Sequence, residues 1–268
     1  MKTPLIETLC LLAYAAVSAN AVVVAIPNPL NPPSGAPDNG APWDNVLFSN
    51  TSSSVYLGGG WVLTAEHVYD DRDPAFVKFG GVNYFRDPNF VFEIDNPPIG
   101  VMAGLSQKSD LVLFRLTETL PLPTIQLGNV TALTGITMIG FGGGNGQGGG
   151  KSWGTNVREA GPSVAVAVTG NNGFIAFASD YDSATQTEAQ AVGGDSGGAA
   201  FFFDGAGWRL GGIMLAVNAT QTFHADLAFY RNDINNKIAT NGSAVPEPTA
   251  GLLSIVFLPL SLFLRRRR

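Results

Sequence analysis

The sequence is 268 residues long, 45% hydrophobic and 13% charged, with 33 glycines and 17 prolines; that balance excludes long helices and predicts one all-β globular domain between two terminal segments. The formal charge of −6 becomes more negative once residues 1–21 and 249–268 are set aside, leaving ten basic against twenty acidic residues. Such a surface repels phosphate backbones, which excludes nucleic acid as a partner, and two histidines with one cysteine are too few for a zinc site, so no metal or other cofactor is expected.

Residues 1–21 read as a signal peptide: Lys2 leads into an apolar run from Leu9 to Val17, and Ala19-Asn20-Ala21 supplies the small-x-small triplet that a signal peptidase cuts. The run is shorter than the ~20 residues of a membrane span. Cys10 lies inside this segment, so the processed chain has no cysteine to oxidise. Residues 22–45 follow as a linker or propeptide, with 27–43 too rich in Pro, Gly and Asn for regular structure.

The domain proper, residues 46–241, carries short apolar runs at 54–57, 61–64, 76–79, 90–94, 111–116, 137–141, 164–169, 174–178, 199–203 and 209–217. They are rich in Val, Ile and Phe and bounded by Gly, Asn, Asp or Pro, which is the pattern of strands in a barrel or sandwich. Helical spacing is expected only at 232–239. The glycine-dense stretch 140–150 lacks the Lys-Ser/Thr pair of a phosphate cradle and reads as a surface loop. Asp70, Asp71 and Asp73 read as solvated turn carboxylates in preference to a calcium loop.

Chemistry concentrates at Gly193-Gly194-Asp195-Ser196-Gly197-Gly198, just before the run at 199–203. Glycines on both sides of a serine permit a tight turn that aims successive N–H groups at one spot, where they stabilise an oxyanion. A serine hydroxyl needs a base, and His67 and His224 are the two available. The G-x-S-x-G spacing also occurs in α/β-hydrolases, but their order of serine, acid, histidine would require Asp204 and His224, too soon after the serine for the rest of such a sheet. His224, with no motif around it, reads as structural.

Trp61-Val62-Leu63-Thr64-Ala65-Glu66-His67-Val68, Ser109-Asp110-Leu111-Val112-Leu113-Phe114-Arg115-Leu116 and Gly194-Asp195-Ser196-Gly197-Gly198 resemble, in order and separation, the histidine, aspartate and nucleophile motifs of trypsin-like serine peptidases. The resemblance implies two six-stranded antiparallel β-barrels of the chymotrypsin-like kind, a short C-terminal helix, and a site in the cleft between the barrels. It implies His67 as general base and then acid, Asp110 as its orienting carboxylate, Ser196 as nucleophile, and the N–H groups of Gly194 and Ser196 as the oxyanion hole. Gln190 falls where an acidic residue marks cleavage after Lys or Arg, and Leu215, Ala216 and Val217 fall on the substrate-binding strand, Val217 in place of a glycine. Those residues imply a narrow apolar pocket for small or medium side chains.

The chain departs from the family in four respects. Val68 replaces a common cysteine, while Glu66 stands beside the base and raises its pKa only if it faces the ring. Leu215 replaces a serine that often bonds the catalytic aspartate. In the family a new N-terminus pairs with the aspartate before the nucleophile, here Asp195, yet no Ile-Val-Gly-Gly start is present. Asp195 is expected to find another donor or an apolar N-terminus such as Val22, without zymogen cleavage of the usual kind.

Residues 242–268 contain Val245-Pro246-Glu247-Pro248, an apolar span at 250–264 and four arginines at 265–268. Order and composition closely resemble the PEP-CTERM sorting signal of Gram-negative bacteria, which implies transient passage through the inner membrane as a transmembrane segment, an exosortase-type processing partner, and a destination at the cell envelope, surface or extracellular matrix. The expected function is a secreted serine endopeptidase acting on protein or peptide substrates; the alternative is a weak or inactive peptidase-fold protein used in adhesion.

Overall fold

The computed structural model describes residues 22–24, 33–49, 52–72, 75–98, 105–142, 150–167, 172–182 and 188–242. The signal peptide expected at 1–21 and, Gly242 excepted, the sorting signal expected at 242–268 lie outside them. Among the described residues no helix is long and apolar enough to cross a membrane.

Strands β2 (Val46–Ser49), β3 (Ser52–Gly58), β4 (Trp61–Ala65), β5 (Phe76–Phe79), β6 (Val82–Asp95) and β7 (Lys108–Leu116) close into a six-stranded antiparallel barrel in the order β2-β3-β4-β7-β6-β5. Strand alternation divides its apolar residues between two cores. Val62, Val112, Phe114 and Leu116 join Leu47 and Tyr56 in one. Trp61, Leu63, Ala65, Leu111 and Leu113 point the other way and pack with Ile213, Leu215 and Tyr230 from the second half of the chain. With apolar contact on both faces, β4 is buried along its whole length, as a strand between two layers must be.

A second barrel was expected, but the second half forms an open eight-stranded sheet in the order β10-β9-β14-β15-β16-β12-β11, with β8 beside β15. These strands are β8 (Gln126–Leu127), β9 (Gly135–Gly140), β10 (Ser152–Val157), β11 (Val164–Val166), β12 (Phe174–Asp180), β14 (Ala199–Phe203), β15 (Trp208–Val217) and β16 (Gln221–Asp226). Closure needs a ladder from β10 back to β12. That seam is instead bridged by a side chain, Asn156 Nδ2 donating to the carbonyls of Asp180 and Ala189, each at 2.7 Å, beside one isolated bridge from Thr155 to Glu188.

Residues 22–45 hold more order than their composition predicts. β1 (Val23–Val24) pairs with β13 (Ala189–Gln190), and residues 43–45 form a 3-10 turn. Trp153 N–H donates to Pro33 O at 3.3 Å, and Asn39 Nδ2 donates to Thr137 Oγ1 at 2.9 Å. Helix α1 (Glu66–Arg72) follows β4 directly, and α2 (Leu227–Asn241) extends beyond the predicted 232–239. Asp226 caps α2 by accepting from Ala228 N–H at 3.1 Å, and Leu227, Tyr230 and Ile234 bury its inner side.

Candidate active site

His67 stands in the first turn of α1, two residues beyond the end of β4, and Asp110 lies within β7, the neighbour of β4. The register Ala65 to Leu111 therefore delivers the histidine to the aspartate. His67 Nδ1 lies 2.8 Å from Asp110 Oδ2 and 2.9 Å from Oδ1, while His67 N–H donates to Oδ1 at 2.9 Å. Asp110 is wholly buried and the imidazole is 17% exposed. A carboxylate accepting from Nδ1–H leaves Nε2 as the acceptor nitrogen, so the ring is poised to take a proton. Glu66 is buried, which excludes the solvent-facing position as its setting.

The turn around Ser196 is held from both layers. Asp195 N–H donates to Val192 O at 3.0 Å, Gly198 N–H to Asp195 O at 2.7 Å, and Gly197 N–H to Met214 O at 2.9 Å. Ser53 N–H, on β3, donates to Ser196 O at 3.1 Å. Gly197 has φ +83°, and a Cβ there would fall 2.1 Å from Ser53 O and 2.3 Å from Thr64 Oγ1, so only glycine lets the turn dock. Thr64 is three residues before His67, which sets the nucleophile turn against the strand that carries the histidine.

Ser196 is half-buried. The N–H groups of Asp195, Gly197 and Gly198 are used internally, whereas those of Gly194 and Ser196 make no hydrogen bond to a described residue. Two unspent donors flanking a serine are the arrangement an oxyanion requires. The described contacts join His67 to Asp110 and the Ser196 turn to Ser53 and Thr64; they include none between the Ser196 hydroxyl and the His67 ring.

A family model described as the trypsin-like peptidase domain matches residues 51–213, more than half of the chain and the span that holds His67, Asp110 and Ser196. The chain belongs to the trypsin-like peptidase family. A comparison with curated protein sequences found no match. Among solved structures, the Rv3671c protease of M. tuberculosis in its inactive form is 14% identical, with a TM-score of 0.51 over 78% of this chain and 99% of that one. The HtrA-type protease AlgW with a decapeptide is 19% identical, with a TM-score of 0.50 over 70% of this chain and 52% of that one. The NS6 protease of murine norovirus 1 is 15% identical, with a TM-score of 0.47 over 72% and 93%.

The other sequence candidates in this trypsin-like peptidase fall as follows. Gln190, on β13, donates Nε2 to Asn218 O at 2.8 Å and to Gln221 O at 3.4 Å. The β15–β16 ladder skips Leu215, which turns into the core between the layers, while Ala216 is half-buried and Val217 is 47% exposed. His224 and Asp204 are far apart in role and setting. His224 is buried in the second sheet, its Nε2 3.0 Å from Ser179 Oγ and its ring stacked on Phe177, and burial pulls its pKa down to about 3. Asp204 accepts from Arg209 at a surface turn. This rules out the α/β-hydrolase arrangement. Side chains of Asp70, Asp71 and Asp73 lie outside the described residues, among which no cluster of His, Cys, Asp or Glu could hold a metal ion.

Among the described residues no cation hydrogen-bonds Asp195. Fully buried, it accepts from Val22 N–H at 3.0 Å, Val192 N–H at 2.8 Å and Gly142 N–H at 2.9 Å. Burial pushes its pKa up to about 6 against the pull of those three bonds. Sequence reasoning missed Ser53 and Gly142 as parts of this site and placed Thr64 only within the histidine motif; that the Thr64 hydroxyl donates to Ser53 O at 2.8 Å is a contact between strands that no local pattern announces.

Proposed function

We propose that the protein is an exported serine endopeptidase. The observation that carries this reading is the buried Asp110 at 2.8 Å from His67 Nδ1 in a family fold whose glycine-flanked Ser196 turn leaves two N–H donors unspent among the described residues. In the reaction His67 Nε2 accepts the Ser196 hydroxyl proton as Oγ attacks the scissile carbonyl carbon. The N–H groups of Gly194 and Ser196 hold the developing oxyanion, Asp110 stabilises the imidazolium, and His67 returns the proton to the leaving amine. Water then hydrolyses the acyl-enzyme by the same route.

Gln190 carries no charge, its amide nitrogen is tied to main-chain carbonyls, and Ala216 and Val217 add apolar walls. That lining favours small or medium apolar side chains before the scissile bond and disfavours Lys and Arg. Residues 1–21 direct export, and residues 242–268 direct sorting to the cell surface or matrix through an exosortase-type partner. Purified protein exposed to a fluorophosphonate probe is expected to label at Ser196 and to lose the label as Ser196→Ala. Absence of labelling in the exported, processed chain would instead favour a non-catalytic surface role.

A further inference from the structure

Ser53 lies wholly buried on β3, in a run of three serines from Ser52 to Ser54. Its main chain and its side chain both reach across to the nucleophile turn. The N–H donates to Ser196 O at 3.1 Å. The Oγ accepts from Phe141 N–H at 2.8 Å and donates to Gly194 O at 3.5 Å. A serine hydroxyl has one proton to give, and Gly194 O is its one acceptor among the described residues. Strand pairing uses main-chain groups alone, so β3 itself does not require this hydroxyl.

These bonds converge on the oxyanion site. Gly194 and Ser196, the two residues whose N–H groups are unspent among the described residues, both have their carbonyls anchored on Ser53. Phe141 directly precedes Gly142, whose N–H donates to Asp195 Oδ1 at 2.9 Å. The same hydroxyl therefore also steadies the main chain that holds the residue between the two donors. Gly194 has φ +99°, and with no Cβ to restrict its torsions its peptide planes need an outside bond to fix them. Ser54 offers the contrast. Its Oγ donates to Leu47 O at 3.5 Å, its one side-chain bond among the described residues, and that bond stays inside the first barrel.

We propose that Ser53 is a positioning residue of the reaction: its hydroxyl sets the Gly194 peptide so that the N–H groups of Gly194 and Ser196 aim together at the developing oxyanion. Donors that are already aimed cost no reorganisation when the charge appears, which is what makes such a site effective. At 3.5 Å the bond from the hydroxyl to Gly194 O is at the outer limit for a hydrogen bond in the free chain, and it is expected to tighten when substrate fills the site. Every polar contact of the Ser53 side chain is to main chain of the enzyme, so Ser53 acts on kcat and not on KM. The inference rests on the peptidase reading above.

The test compares Ser53→Ala with Ser54→Ala. Each deletes one buried hydroxyl from the same strand, and only the first cuts a bond to the turn. Both are assayed in the exported, processed protein with a peptide p-nitroanilide that has alanine before the scissile bond. Ser53→Ala is expected to lower kcat by about 10–100-fold with KM unchanged, short of the ~10²–10³ that loss of a whole oxyanion donor costs. A peptidyl boronic acid, whose tetrahedral adduct with Ser196 Oγ puts an oxygen where the oxyanion forms, is expected to bind more weakly by the same factor. Ser54→Ala is expected to lower the melting temperature and leave kcat unchanged. A kcat for Ser53→Ala equal to that of the parent chain, or an equal loss of kcat in Ser54→Ala, would overturn the inference and leave the peptidase reading intact. A parent chain that neither turns over the anilide nor labels with a fluorophosphonate ends the peptidase reading, and this inference with it.

Discussion

His67 is bonded to Asp110 through its main chain as well as its ring: the His67 N–H donates to Oδ1 at 2.9 Å while Nδ1 sits 2.8 Å from Oδ2. One buried carboxylate therefore fixes both the start of α1 and the orientation of the imidazole on it.

Asp110→Asn separates those two tasks. The Asn carbonyl oxygen still accepts the His67 N–H, so the fold is expected to persist, but the amide NH₂ presents a donor to Nδ1 and forces the tautomer whose Nε2 carries the proton. The rate of Ser196 acylation at neutral pH is expected to fall by on the order of 10⁴-fold, with far-UV circular dichroism unchanged. A fall below tenfold would mean that His67 is not acting as the base.

Gly197→Ala tests the docking of the nucleophile turn. Its Cβ would sit 2.1 Å from Ser53 O, a main-chain atom of a barrel strand that cannot swing aside, and its φ of +83° disfavours any side chain. Stability is expected to drop by about 2 kcal/mol or more, and labelling of Ser196 to drop with it. Gly161→Ala, which meets nothing within 4 Å, is the control and is expected to leave both unchanged. Urea denaturation followed by tryptophan fluorescence gives the comparison.

Much of this architecture was legible in the residues, and the limits have physical causes. Runs such as 76–79 and 199–203 coincide with β5 and β14 because each is bounded by turn residues on both sides. β10 (SWGTNV) and β16 (QTFHAD) escaped notice because polar residues fill buried positions, Ser152 in β10 and Thr222, His224 and Asp226 in β16, and break the apolar alternation. β6 is far longer than the run 90–94 because Pro88 sits where its register with β7 breaks, between Arg86 and Val91, so a residue that reads as a terminator is carried inside the strand. His67, Asp110 and Ser196 stood out because each sits beside an apolar strand, and the register of β4 with β7 joins the first two. The resemblance points to Val22 as a partner of Asp195 through a new N-terminus; the fold joins the two across 173 residues through the main-chain N–H, beside Val192 and Gly142, which no local pattern places.

Arg158 and Asp226 form a buried ion pair at 3.1 Å that also anchors α2, since Asp226 is the helix cap and accepts from Ser163 Oγ at 2.5 Å. Arg158→Met leaves that carboxylate buried without its cation. The expected loss is about 3–5 kcal/mol in urea denaturation, and the double variant Arg158→Met with Asp226→Asn is expected to recover part of it. A double variant no more stable than the single one would show that the hydrogen bonds of Asp226, and not its charge, hold the cap.

Two buried groups give the pH dependence of stability opposite signs. His224 is neutral in the fold, with its pKa pulled down to about 3 by burial, and takes up a proton on unfolding below its ordinary 6.5. The unfolded chain binds more protons in that window, so stability falls as pH drops from about 6.5 toward 3, by about 1.4 kcal/mol per unit. Burial pushes the Asp195 pKa up to about 6 from 3.8, so the folded chain binds more protons between those values and stability rises as pH drops through them. Between about pH 4 and 6 the two slopes oppose each other, and stability is expected to be nearly flat there. His224→Gln, which keeps a partner for Ser179 and cannot titrate, leaves the Asp195 slope alone, so chemical denaturation at about pH 4, 5 and 6 is expected to show this variant gaining stability as pH drops. A variant profile as flat as that of the parent chain would mean that His224 takes up no proton on unfolding in this window.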